Sequence, residues 1–259
     1  MILIKLGGSV ITDKASYLTF RGNVLSRLVD EILYSKKDII LIHGAGSFGH
    51  VLASKHNIQN GYSNNIQIPA VAKIMEDVRD LNLRVTRVLN ERGLPSASLP
   101  PSTVATLKNG ELDRLDIDLF YHYLQLGICP VTFGDVALDS ERGFGICSGD
   151  QLMEILAKEF RPERVIFVSD VDGVFTADPS SDPDAALMGT VDWETLEKLP
   201  RTTRCADVTG SIFNKIETML RIASWGGDAI VLNGNIPGRL ESALRGDVVK
   251  GTRVRGSTL

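Results

Sequence analysis

Two short segments of the chain combine glycines with a cation or an imidazole at spacings that suit a phosphate group. Lys5-Leu6-Gly7-Gly8-Ser9 ends one short apolar run, and His43-Gly44-Ala45-Gly46-Ser47-Phe48-Gly49-His50 ends another. Glycines carry no side chain to keep a ligand off the backbone, so neighbouring N–H groups can converge on an anion. Lys5 adds a positive charge to the first loop. His50 closes the second with an imidazole, which hydrogen-bonds phosphate and, when protonated, stabilises its dianion. His43 reads more simply as a packed, satisfied imidazole. The G-x-x-x-x-G-K-[ST] spacing of a Walker loop occurs nowhere, and no G-x-G-x-x-G follows the first strand.

Three further segments carry polar side chains at element ends. Ser148-Gly149-Asp150 stands before an apolar-periodic run. It is either an ordinary helix cap or a carboxylate held among phosphate-binding lysines. Ser169-Asp170-Val171-Asp172-Gly173-Val174-Phe175-Thr176, with Asp178 just beyond, leaves a strand end with two carboxylates on one side. A metal site and a nucleotide-binding loop are both open there. Asp207-Val208-Thr209-Gly210-Ser211 precedes a helix with Lys215 in its first turn. A lysine at a helix start opposes the dipole, and an anionic partner would explain it.

These loops need a frame, and the apolar pattern supplies one. Ile2–Leu6, Ile39–His43, Ser96–Leu99, Cys129–Phe133, Arg164–Ser169 and Ala229–Asn233 read as short buried strands. Helical periodicity falls at Val24–Tyr34, Ile66–Arg92, Leu115–Gln125, Gln151–Phe160, Asn214–Ser224 and Arg239–Arg245. Val136–Cys147 reads as a hairpin turning near Ser140–Gly143, Thr176–Asp184 as irregular surface, and Gly251–Val254 as a last strand. Strands alternating with helices predict an α/β chain with a mostly parallel sheet covered by helices. Open sheets of this kind bind ligands where strands end. No linker divides residues 1–259, so a single domain with two lobes within one sheet is expected.

Composition narrows the partners. The chain has 259 residues, 43% of them hydrophobic, which is ample for a core. A net charge of −4 supplies no electrostatic drive toward nucleic acid or a membrane. Cys129, Cys147 and Cys205 are odd in number and lack metal-like spacing, so they read as packed thiols in a reducing compartment. The start of the chain has no signal-peptide shape and no apolar run reaches 18 residues, which points to the cytoplasm.

Taken together the loops resemble the amino-acid kinase superfamily and, within it, the archaeal-type isopentenyl phosphate kinases. The resemblance is collinear over essentially the whole chain. Lys5–Ser9 and Ser169–Val174 mark the superfamily. Thr12-Asp13-Lys14, the octapeptide 43–50, Phe133-Gly134-Asp135-Val136 and Ser148-Gly149-Asp150 mark the narrower group. The resemblance implies a three-layer αβα sandwich, commonly homodimeric, that uses ATP and Mg2+ to phosphorylate isopentenyl phosphate. The acceptor would lie in a lobe of about residues 1–160 and ATP in one of about 161–259.

By the same resemblance Lys5, Lys14 and Lys215 would neutralise the transferred group, and Asp150 would orient the lysines. Gly7, Gly8, Ser9 and Gly46 would lie at the ATP phosphates, with Asp170, Val174, Phe175, Asp178 and Gly210 beside the nucleotide. Ala45, Gly46, Gly49, His50 and Gly149 would hold the acceptor phosphate, and Val71, Met75 and Val78 would wall its isoprenoid tail. Ser211 replaces a second glycine common in the family. Two other readings suit the loops: a phosphonate kinase of the fosfomycin type, which needs a small polar pocket, and a non-catalytic oxyanion binder.

Overall fold

The computed structural model describes residues 1–13, 15–177, 182, 184–198, 212–225 and 227–256, and only the backbone of residues 212–215. The strands, in chain order, are β1 (Ile2–Leu6), β2 (Ile39–His43), β3 (Ser96–Ser98), β4 (Ala105–Lys108), β5 (Glu111–Leu115) and β6 (Cys129–Phe133). They continue with β7 (Asp135–Asp139), β8 (Gly143–Cys147), β9 (Arg164–Ser169), β10 (Thr190–Val191), β11 (Asp228–Asn233) and β12 (Thr252–Val254). The helices are α1 (Gly8–Ile11), α2 (Gly22–Leu33), α3 (His50–Lys55), α4 (Gln67–Glu91) and α5 (Pro101–Val104). After them come α6 (Ile117–Gln125), α7 (Gly149–Phe160), α8 (Trp193–Lys198), α9 (Ile212–Trp225) and α10 (Arg239–Arg245).

Among the described residues, eight strands form the main sheet in the order β10-β12-β11-β9-β1-β2-β6-β3. The six strands from β11 to β3 run parallel, and β12 pairs antiparallel with β11. Strand alternation sorts the core into two halves. Ile2, Ile4 and Leu6 of β1, with Ile39 and Leu41 of β2, face the layer containing α2, α4 and α10. Leu3, Ile40 and Ile42 face α6, α7 and α9. Each of these fully buried aliphatic side chains contributes about 1.5–3 kcal/mol. The α4 stripe Ile74, Val78, Leu81, Val85 and Leu89 follows the 3.6-residue period and packs on the first face. The expected αβα sandwich is therefore present.

The expected hairpin of residues 136–147 is present, but it lies outside the single sheet expected for the two lobes. It belongs to a second sheet of four strands, ordered β5-β4-β7-β8. Its partner hairpin at 105–115 has little apolar periodicity, because β5 is largely exposed. The signal for it was the Asn109-Gly110 turn, with φ of 52° and 86°, the dipeptide that two-residue hairpins favour. For the same reason Leu115 ends a strand, and the following helix starts at Ile117. Asp139 organises both hairpin tips by accepting from the backbone N–H groups of Asn109, Gly110, Glu141 and Arg142. Those bonds hold its carboxyl below the usual range, against the effect of its burial. Among the described residues, no helix is long and apolar enough to cross a membrane.

Candidate functional site

Three adjacent parallel strands end at one rim. The Gly7 N–H donates to Val168 O at 2.8 Å, tying the end of β1 to β9, and the Gly44 N–H donates to Leu6 O at 2.9 Å, tying β2 to β1. The two glycine loops then cross backbone against backbone. A Cβ on Gly8 would stand 2.6 Å from Gly46 Cα, and one on Gly44 would stand 2.6 Å from Gly8 N. Thr12 braces the crossing, since its hydroxyl donates to Gly8 O at 2.7 Å and accepts from the Ser47 N–H at 3.1 Å. Nothing local to Thr12 announces this role, because it joins loops that only the fold brings together. Gly8→Ala is expected to destabilise the protein by about 1–3 kcal/mol by forcing the loops apart. Urea unfolding measures it, and an unchanged midpoint would show that the loops separate freely.

Strand alternation also decides where Lys5 points. It shares the face of Leu3, which is the face covered by α7. There its Nζ lies 2.5 Å from Asp150 Oδ1, with side-chain exposures of 18% and 25%. Asp150 can make this pair because it does not cap α7. Ser148 does so in a reciprocal box: its hydroxyl accepts from the Gln151 N–H, and Gln151 Oε1 accepts from the Ser148 N–H. Gly149 lies against the lysine stem, where a Cβ would stand 3.3 Å from Lys5 Cε.

A cleft of about 850 Å³ opens over this rim. Lys5, Gly7, Gly8 and Ser9 line it from the first loop, and Ala45, Gly46, Gly49 and His50 from the second. Gly149 and Asp150 line it from α7, and Asp170 from the end of β9. His50 opens α3 and is exposed. Beside it the wall is apolar: Ala53, Ile74, Val78, Val136 and Ile146. Gly49 abuts that wall, since a Cβ there would stand 3.2 Å from Val78 Cγ1. Of the three residues expected to form the wall, only Val78 does. Val71 and Met75 pack into the core, and Ile74 takes their place because the cleft lies on a neighbouring line of the same helix.

The two carboxylates after β9 part company. Asp170 borders the cleft, whereas Asp172 is held by Arg239 at 2.6 Å, Lys250 at 2.6 Å and Asn233 at 3.2 Å. The Lys250 and Arg239 cations lower the Asp172 carboxyl to about 2. Val174 is buried with its N–H on Thr252 Oγ1, and Phe175 bridges to Leu187; neither lines the cleft. Lys14, Asp178, Cys205, Gly210 and Ser211 lie outside the described residues, as does the side chain of Lys215. Cys129 and Cys147 are buried, which pushes each thiol up to about 12. Among the described residues, no three His, Cys, Asp or Glu side chains converge as a metal cage.

Asp135 borders the cleft unanticipated. It is 3% exposed and accepts from the Val136 N–H and, at 3.4 Å, from the Ser102 N–H, and burial raises its carboxyl above the usual range. The Phe133-Gly134-Asp135-Val136 motif contained it, but no spacing distinguished that carboxylate from a loop residue.

The amino acid kinase family model matches residues 1–233. The chain is 39% identical to the isopentenyl phosphate kinase of Methanothermobacter thermautotrophicus, over 99% of each protein. It is 34% identical to that of Thermoplasma acidophilum, over 93% of this chain and 94% of the relative. Its fold matches a crystal structure of an isopentenyl phosphate kinase with a TM-score of 0.85 at 35% identity, covering 98% of this chain and 99% of that one.

Proposed function

Because the chain belongs to the amino acid kinase family and, within it, to the isopentenyl phosphate kinases, we propose that it transfers the γ-phosphoryl group of ATP to isopentenyl phosphate. The products are isopentenyl diphosphate and ADP, a step in an alternative mevalonate route to isoprenoids. The observation that carries this reading is the shape of the cleft. A cationic glycine cradle, with Lys5 paired to Asp150, opens directly onto an apolar pouch walled by Ile74, Val78, Val136 and Ile146. A phosphate at the cradle with a short hydrocarbon tail in the pouch satisfies both surfaces. A small polar phosphonate would leave the pouch unfilled.

The chemistry follows from the acceptor. A phosphate monoester has its second pKa near about 6, so it is largely dianionic at neutral pH and needs no base to become a nucleophile. Its oxygen attacks the γ-phosphorus in line, the bond to the β,γ-bridging oxygen breaks, and ADP leaves with that oxygen. The protein's task is alignment and neutralisation of like charges. Lys5, steadied by Asp150, meets the transferred group, with Lys14 and Lys215 as further cations. The amides of Gly8 and Gly46 hold phosphoryl oxygens, and a side chain at either position would force apart the crossing of the two loops that carry them. His50 and the amides of Ala45 and Gly149 hold the acceptor phosphate beside Gly49, whose own N–H is donated to Gly46 O at 3.3 Å.

On the nucleotide side Gly7, Ser9 and Asp170 border the same cleft. Val174 and Phe175 follow Asp170 without lining the cleft, and Asp178 and Gly210 would lie by the nucleotide. Mg2+, when bound with ATP, would supply charge neutralisation to the polyphosphate. Such an ion is commonly held by phosphate oxygens with one or two carboxylates, and Asp170 at the cleft is a carboxylate that would suit it, Asp150 being engaged by Lys5. The acceptor lobe comprises about residues 1–160 and the ATP lobe about 161–259, in a cytoplasmic homodimer.

An acceptor panel tests this function. With Mg-ATP, the purified protein is expected to phosphorylate isopentenyl phosphate in preference to glutamate, acetylglutamate, UMP and fosfomycin. Transfer to one of those acceptors with none to isopentenyl phosphate would overturn it.

A further inference from the structure

His43 takes no part in the chemistry above, yet it is fully buried at the end of β2, directly before the loop that holds His50. Alternation along β2 turns it to the α4 side, where its ring stacks on Phe133 at 5.2 Å. Nδ1 lies 3.1 Å from Gly44 O, and Nε2 lies 3.1 Å from Asn82 Nδ2. A carbonyl oxygen only accepts, so Nδ1 carries the proton. Burial lowers the imidazole to about 4, so the ring is neutral and Nε2 accepts from the Asn82 amide. The Asn82 Oδ1 in turn accepts from Ser98 Oγ, which fixes which way that amide faces.

The partner of the His43 proton matters for the loop. Gly44 must be glycine because the Gly8 backbone passes so close. Glycine, however, turns its peptide plane at little cost, and a flip of the 44–45 peptide would exchange a donor for an acceptor at the cleft. The peptide is trans, so the Ala45 N–H points opposite to the carbonyl held by His43. Ala45 lines the cleft, and among the described residues nothing accepts from its N–H.

We infer that His43 is a positioning residue: by holding the Gly44 carbonyl inside the protein it keeps the Ala45 N–H aimed into the cleft as a phosphate donor. Asn82 and Ser98 hold the ring in the tautomer this requires. The inference rests on the proposed phosphate site, but not on the identity of the acceptor.

The test is a titration of inorganic phosphate followed by backbone amide NMR. The protein as it stands is compared with His43→Phe/Asn82→Leu, which removes both buried polar partners together and keeps the stack on Phe133. In the unaltered protein the Ala45 cross-peak is expected to move with phosphate. In the double variant its response is expected to weaken by about tenfold or more, and KM for the monophosphate acceptor to rise by a similar factor while KM for ATP stays within about twofold. An Ala45 amide that ignores phosphate in the unaltered protein, or a folded double variant with an undiminished response, would overturn the inference. Should the double variant not fold, ¹⁵N spectra of the His43 ring in the unaltered protein decide. Protonation at Nδ1 from pH 6 to 8 supports the inference, and protonation at Nε2 overturns it. A failed acceptor panel would replace isopentenyl phosphate and leave the phosphate titration untouched.

Discussion

Replacing Lys5 by Met is expected to lower turnover by about 10²–10³-fold with both substrates saturating, the loss typical when one preorganised charge donor is removed from a transition state. Lys5 is largely enclosed and fixed at 2.5 Å from Asp150 Oδ1, so its ammonium reaches the reacting phosphates already oriented. The substitution does more than delete a cation. It leaves the Asp150 carboxylate facing the phosphates unpaired, which adds repulsion. Lys5→Met/Asp150→Asn is therefore expected to be less impaired than the product of the two single losses predicts. Single-turnover kinetics of the three variants measure this coupling. A fall of less than about fivefold in Lys5→Met would remove Lys5 from the transfer step.

Replacing His50 by Ala is expected to act on one substrate only. A hydrogen bond to a charged group contributes about 1.5–3 kcal/mol, which corresponds to an increase of about 10–150-fold in acceptor KM. ATP affinity is expected to stay near its original value, because His50 lies beside the Gly49–Val78 contact at the apolar pouch rather than at the end of β9. The fold is expected to persist, since the side chain is exposed at the start of α3. Initial-rate kinetics with each substrate varied in turn give both constants. Unchanged acceptor kinetics would remove His50 from the acceptor site.

Much of the frame was legible in the sequence because strands and helices announce themselves through local periodicity. The near-continuous apolar runs of Ile2–Leu6 and Ile39–His43, and the period near 3.6 in α4, are properties of short stretches that survive any tertiary arrangement. The hairpin at 105–115 was lost for the converse reason. Its outer strand faces water, so its pattern carries no apolar contrast. The apolar wall shows how local reading stops short. Periodicity marked the apolar face of α4, but which of Val71, Ile74, Met75 and Val78 meets the cleft depends on how the helix is rotated against β7 and β8.

The sequence alone determined the inventory of the site: two glycine loops, Lys5, His50, and Asp150 next to a helix start. These are statements about residue types and short spacings, and residue chemistry is local. The tertiary structure decided which groups meet. Lys5 and Asp150 are 145 residues apart and pair because strand alternation turns Lys5 toward α7, while Ser148 takes the capping role and leaves the carboxylate to the lysine. Asp170 and Asp172, equivalent in sequence, separate because Arg239 and Lys250 from beyond β11 draw one of them away. His43 changed most. Locally it reads as a packed imidazole; it becomes the group that aims a loop because its partners Gly44, Asn82 and Ser98 converge only when β2, α4 and β3 assemble.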